Sequence, residues 1–151
     1  MEKYKIVALI GIILLLYAGY SYYTTPTITL LPQDSYLNDI AKAQSIALDS
    51  GNFSAVQGLA HLTITPDNYI FNGTLVIITD DPQATIKLYS DIPLTLVDGG
   101  TGNVTFVLPI MKDPLSMDII FTFSNTTITH QVTFQVNSDS VSNSTTVYAN
   151  P

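Results

Sequence analysis

The chemistry open to this chain rests on two histidines, His61 and His130, twelve carboxylates and a supply of Ser, Thr and Tyr hydroxyls. There is no cysteine among its 151 residues, which excludes disulfides, thiolate metal sites and cysteine nucleophiles together. Imidazole is the side chain that changes charge near neutral pH, so general acid–base chemistry has two candidate residues. His130 lies in the run Thr126–Val136, where Ile128, His130, Val132, Phe134 and Val136 share one face and Thr127, Thr129, Gln131, Thr133 and Gln135 share the other. That period of two marks a half-buried strand and puts His130 on the core side, the usual place of a satisfied structural histidine. His61 sits among small and apolar neighbours in Gly58-Leu59-Ala60-His61-Leu62-Thr63 and is read the same way.

The two histidines could meet across a sheet as metal ligands, but zinc and copper sites want three or four donors. The remaining donors would have to be Asp or Met, and no spacing selects them. A serine nucleophile needs a base and an orienting acid, and no local pattern ties either histidine to a serine. The chain has no Gly-x-Ser-x-Gly elbow, no His-Glu-x-x-His pair and no phosphate-binding Gly-x-x-x-x-Gly-Lys. Its one glycine cluster, Asp98-Gly99-Gly100-Thr101-Gly102-Asn103, lies between two strand-like runs with no helix after it, so it reads as a hairpin loop. The aspartates, Asp80-Asp81 included, do not follow the calcium-loop spacing of an EF-hand. The sequence therefore assigns no catalytic residue, no metal and no cofactor, and the expectation is a protein that is not an enzyme.

Charge narrows the field further. Acidic residues outnumber basic ones twelve to five, all five basic residues are Lys, and the net charge is −7. Nucleic-acid binding needs a basic face to neutralise phosphates and is excluded as an expected partnership. Charged residues make up 11% of the chain, while 46% is apolar, enough to build a core.

The elements that would carry these residues fall into two parts. Ile6 to Tyr23 is free of charge, with Lys3 and Lys5 just before it and Tyr17, Tyr20, Tyr22 and Tyr23 crowding its end. Its length approaches the minimum for crossing a hydrocarbon core, and tyrosines favour a membrane interface. The expectation is a single-pass transmembrane helix in the cell membrane, with the bilayer as a partner through residues 6–23. The two lysines would hold the N-terminus in the cytoplasm and the rest outside. A cleaved signal peptide fits less well, because Gly19 and Ser21 make a poor cleavage site. The domain boundaries expected are a cytoplasmic stub and span over 1–23, a linker over 24–33 held extended by Pro26 and Pro32, and an extracytoplasmic domain over 34–151.

Within that domain, residues 34–49 place Leu37, Ile40, Ala41, Ile46 and Ala47 at helical spacing, predicting one short helix. From residue 57 the pattern changes to short runs of Val, Ile, Thr, Phe and Tyr broken by turn residues. Strands are expected near 58–65, 69–79, 84–89, 92–97, 103–110, 117–123, 126–136 and 144–149. The fold class expected is thus mainly β, an antiparallel β-sandwich of immunoglobulin-like architecture, with one short helix behind an N-terminal transmembrane helix. The last strand reads as an ordinary terminal strand, although an exposed edge also invites donation to a neighbour.

Five Asn-X-Ser/Thr acceptor sequences stand at Asn52, Asn72, Asn103, Asn125 and Asn143, the glycosylation candidates of a chain expected to be exported. Asn72, read as mid-strand, is the least suitable of the five. Together with the missing cysteine, the low charge and the short anchor, they give a composition that resembles surface proteins of thermoacidophilic archaea. The resemblance is compositional, spans the whole chain and implies a glycosylated, anchored surface domain. The function expected is a non-catalytic structural or accessory subunit working through contacts with other membrane or cell-surface proteins. The alternatives are a small accessory subunit of a membrane-bound oxidoreductase, a pilin-like filament subunit or a viral membrane protein.

Overall fold

The structure, a computed structural model, describes residues 2–24 and 41–151, which belong to two separate units. In the first unit, helix α1 (Glu2–Thr24) covers the apolar N-terminal run. Its described aliphatic side chains, Ile6 to Leu16, are exposed apart from Gly11.

Among the described residues, no helix is long and apolar enough to cross a membrane. The expected transmembrane span, the single-pass location in a cell membrane and the bilayer partnership through residues 6–23 are therefore withdrawn. The aliphatic run Ile6–Leu16, which Tyr17 ends, is about 16 Å long at 1.5 Å per residue, against a hydrocarbon core of about 30 Å. The sequence count reached further only by including the tyrosine-rich stretch to Tyr23. Thr24 ends α1, and the rest of the expected linker lies outside the described residues.

The second unit has ten strands: β1 (Ile46–Asp49), β2 (Phe53–Ser54), β3 (Leu59–Pro66), β4 (Thr74–Thr79), β5 (Thr85–Ser90), β6 (Thr95–Gly99), β7 (Asn103–Val107), β8 (Leu115–Thr122), β9 (His130–Asn137) and β10 (Ser142–Asn150). They form two sheets, one of four strands in the order β1-β3-β8-β5 and one of six in the order β2-β10-β9-β4-β7-β6. All pairings are antiparallel except the two-residue contact of β2 with β10. Ten strands exceed the seven or nine of immunoglobulin domains, and two of them, β1 and β2, were not expected from sequence.

The expected short helix over 34–49 is corrected. Residues 34–40 lie outside the described residues, and Ile46–Asp49 is a strand paired with Thr63–Pro66. The backbone N–H groups just before it point away from any helical ladder. Ala43 N–H donates to the Tyr69 carbonyl at 2.7 Å, and Gln44 and Ser45 N–H groups donate to the Asp67 carboxylate at 2.8 and 3.2 Å. These ties hold Asp67 below the ordinary carboxylate pKa, the Ser45 N–H contributing most. A helical spacing of apolar residues is a weak preference beside a sheet edge that buries Ala43 and Ile46.

The core lies between the sheets. Leu62, Ile64, Ile119 and Phe121 of the smaller sheet face Leu75, Ile77, Val132, Phe134 and Val136 of the larger, all at most 2% exposed. A fully buried side chain of this size contributes about 1.5–3 kcal/mol, so the two central pairs of strands carry most of the stability. Phe53, Phe121 and Phe123 stack with centroid separations of 5.3, 6.3 and 5.7 Å, and Phe134 meets Phe121 edge-on. Gly58, at φ +67°, lets the chain pass against β8, where Phe121 N–H donates to its carbonyl at 2.7 Å. A Cβ on Gly58 would stand 2.0 Å from the Phe121 carbonyl oxygen.

Candidate contact edge and polar clasp

The two sheets are unequal, and the mismatch falls on one side. On the β1–β10 side they are stitched together: Asn143 Nδ2 donates to the Ile46 carbonyl at 2.6 Å, Ser140 Oγ to the Ala43 carbonyl at 2.6 Å, and Ala55 N–H to the Asn150 carbonyl at 2.6 Å. On the opposite side, β5 and β6 end their sheets, and neither pairs with a further strand among the described residues. Ile86 and Leu88 of β5 stand opposite Phe121 and Ile119, so they point inward, yet both are only half-buried. Leu96 of β6 stands opposite buried Phe106 on the same inner face and is 53% exposed. The inner apolar surface thus runs out past the last strand of the smaller sheet and reaches solvent.

The two edge strands differ in what they can accept. β6 breaks register at Val97, carries Asp98 on its outer row and bends at Gly99, φ +100°. A bulge and a charge are how natural edges resist further pairing. β5 runs in unbroken register with β8 from Thr85 to Ser90, so its free edge is regular. Its outward residues are Thr85, Lys87 and Tyr89, and Asp91 follows its end. A shallow cavity of about 310 Å³ lies over that end, lined by Tyr89, Ser90, Asp91, Ser116, Met117 and Asp118.

At one end of the sandwich, two chain crossovers between the sheets are tied by polar side chains. Asp80 and Asp81 lie on the β4–β5 crossover, and Ser124 to Thr129 form the β8–β9 crossover. His130, 4% exposed, uses both ring nitrogens. Nδ1 donates to Asp80 Oδ1 at 2.9 Å, and Nε2 donates to the Asn125 carbonyl. The ring lies flat on Phe123, centroids 4.4 Å apart. Asp80 Oδ2 also accepts the Gln131 N–H at 2.9 Å. Asp81, 5% exposed, accepts both the N–H and the hydroxyl of Ser124 at 2.8 Å and the Gln83 N–H at 2.9 Å. The Ser124 N–H is the largest cause that holds Asp81 below the usual carboxylate pKa. Burial pulls the His130 pKa down, but the Asn125 carbonyl and the charges of Asp80 and Asp81 together more than offset it and leave the imidazole above 6.5.

The structure does not bring the two histidines together. His130 belongs to the six-stranded sheet, and His61 lies on the outer face of the four-stranded one, paired through Nδ1 with Asp118. His61, Asp118 and Tyr89 form one row across β3, β8 and β5, with Thr63 and Ser116 hydrogen-bonded at 3.0 Å in the next. Among the described residues, no group of three or more His, Asp or Glu side chains is placed to hold a metal ion.

All five Asn-X-Ser/Thr asparagines are exposed. Asn72 is not in mid-strand: it stands before β4 with φ +51° and donates Nδ2 to Asp139 at 2.9 Å. Asn143 Nδ2 is likewise engaged, on Ile46. In Asn52 and Asn125 the carbonyl oxygen is engaged instead, accepting the Tyr148 N–H at 2.9 Å in one case. In the other it takes the N–H and hydroxyl of Thr127, at 2.9 and 2.6 Å. Asn103 opens β7. Sequence reasoning saw in Asp80 and Asp81 only a pair without calcium-loop spacing. Their long-range partners could not be seen, because nothing in the sequence says which crossover lies beside which.

No known family model matches the chain, and no curated protein matches it in sequence. Among solved structures it is similar to the GAE domain of GGA2p from Saccharomyces cerevisiae, with 13% identity, coverage of 74% of this chain and 93% of that chain, and a TM-score of 0.31. At that score the likeness carries no argument about fold or function.

Proposed function

We propose that the 41–151 unit is a protein-contact module, a structural or accessory subunit that engages another protein along its open β5 edge. The observation that supports this is the exposure of Leu96 beside half-buried Ile86 and Leu88, a strip of inner-face apolar surface that no further strand covers among the described residues. The occupant is an extended segment of a partner protein that pairs with β5 and adds a fifth strand to the smaller sheet, with main-chain hydrogen bonds giving affinity and alternate side chains giving choice. Its inward residues are apolar and cover Ile86, Leu88 and Leu96. On the outer face, charge complementarity calls for a carboxylate beside Lys87 and an amine beside Asp91.

The test is affinity isolation from the native source with the full chain and with an Ile86→Lys/Leu96→Lys variant, followed by cross-link mapping. The expected result is a partner whose cross-links fall on Thr85–Ser90 and which the variant loses while keeping its near-ultraviolet dichroism. Cross-links on another face, retention by the variant or recovery of only the chain itself would each overturn the proposal.

A further inference from the structure

The polar clasp at the end of the sandwich is built from residues separate from the contact edge. The two groups that meet the His130 ring, a carboxylate and a backbone carbonyl, are acceptors and have no proton to give. Both nitrogens must therefore donate, and only the imidazolium carries two N–H groups. We propose that His130 is a proton-operated clasp on the β8–β9 crossover, holding Asn125–Thr129 against the end of the sandwich while doubly protonated and releasing that segment on deprotonation.

The place of release follows from the strengths of the two bonds. A hydrogen bond to an ionised carboxylate is about twice as strong as one to a neutral acceptor. The single proton of neutral His130 therefore stays on Nδ1 toward Asp80, and a lone pair is left facing the Asn125 carbonyl. The neighbouring anchors do not titrate with the histidine. Asp81 keeps Ser124 at one end of the segment, and the β9 pairings with β4 and β10 keep Gln131 onward at the other. Release is thus confined to the residues between, which include exposed Ile128 and the Asn125-Thr-Thr sequence.

Groups from several elements surround the ring. The β4–β5 crossover presents Asp80 and Asp81, Phe123 just after β8 stacks on the ring, and β10 presents Ala149 opposite His130. The two aspartates are the charged members of that set, and both favour the imidazolium. A histidine whose pKa is raised in the folded state contributes stabilisation that is complete below its unfolded value and is lost as pH rises through the folded one. The segment is held under mildly acid conditions and freed under basic ones.

The test is amide hydrogen exchange of the full chain between pH 5 and 9, corrected for intrinsic rates, beside an NMR titration of the His130 ring. The expected result is a roughly tenfold loss of protection at the Thr127 N–H, which the Asn125 carboxamide holds, with the midpoint of the ring titration and no change at Val132–Val136. Asp80→Asn should move both midpoints down by about one unit. His130→Gln should leave the segment poorly protected at every pH, and gives the answer if the Asp80 variant does not fold. Protection that ignores the His130 titration would overturn the clasp. So would an opening in which β9 exchanges together with the segment, or a midpoint that stays put in Asp80→Asn while the ring titration moves.

Discussion

Substituting Asp81 by Asn isolates the other half of the clasp. The carboxylate accepts three hydrogen bonds, and two of them, both at 2.8 Å, come from Ser124 on the opposite crossover. An amide of the same shape offers one oxygen. If that oxygen stays on Gln83, an NH₂ group faces the Ser124 N–H, donor against donor, at a site 5% exposed. Each bond to an ionised group contributes about 1.5–3 kcal/mol net, so losing the pair costs about 3 kcal/mol at neutral pH. With a urea slope of about 2 kcal/mol/M for a domain of this size, the unfolding midpoint should fall by about 1.5 M. The effect also carries a pH signature. Asp81 lies below its ordinary value of 3.8 in the folded chain, so its stabilisation is complete above that value and drains away as pH falls through the folded one. Urea midpoints measured between pH 7 and 3 should therefore stay a constant distance apart down to about pH 4 and begin to approach each other below 3.8. A loss under about 1 kcal/mol at pH 7, or two parallel curves, would refute the reasoning that Ser124 is held by a buried carboxylate.

Gly58→Ala should destabilise the domain by at least about 2 kcal/mol, because a left-handed φ is combined with a Cβ 2.0 Å from a carbonyl oxygen; thermal melting followed by dichroism checks it. Phe134→Ala, which empties a fully buried site at the centre of the core, should cost about 3–5 kcal/mol in the same assay. His61→Ala should change stability by less than about 1 kcal/mol, since its pair with Asp118 leaves the two side chains 73% and 56% exposed; a urea midpoint within error of wild type is the expected reading.

The two halves of the sequence were legible to different degrees for physical reasons. From residue 58 on, alternation alone locates the strands, because a half-buried strand must place every second residue in the core. Leu62 and Ile64, Val104 and Phe106, and Val132, Phe134 and Val136 all obey it. The boundaries slipped where a side chain overrode the pattern. Residues 126–129 alternate like a strand but are turned by the Asn125 carboxamide and held by His130, so β9 begins at His130. Ile46–Asp49 is spaced like a helix but pairs with β3, because Asp67 and Tyr69, more than twenty residues away, take the N–H groups a helix would use.

Composition and spacing by themselves determined that the domain is built mainly of strands around an aliphatic and aromatic core, that cysteine chemistry is closed to it, and that His130 faces inward. These are properties of residue type and of a two-residue period, and the chain carries them locally. Which strand ends lie side by side was decided only by the tertiary structure. Asp80 meeting His130, Asp81 meeting Ser124, His61 and His130 parting to different sheets, and β5 having β8 on one side and no strand on the other among the described residues all follow from the packing of four strands against six. Those contacts join residues up to 50 positions apart, and their energies exist only once both sheets have formed.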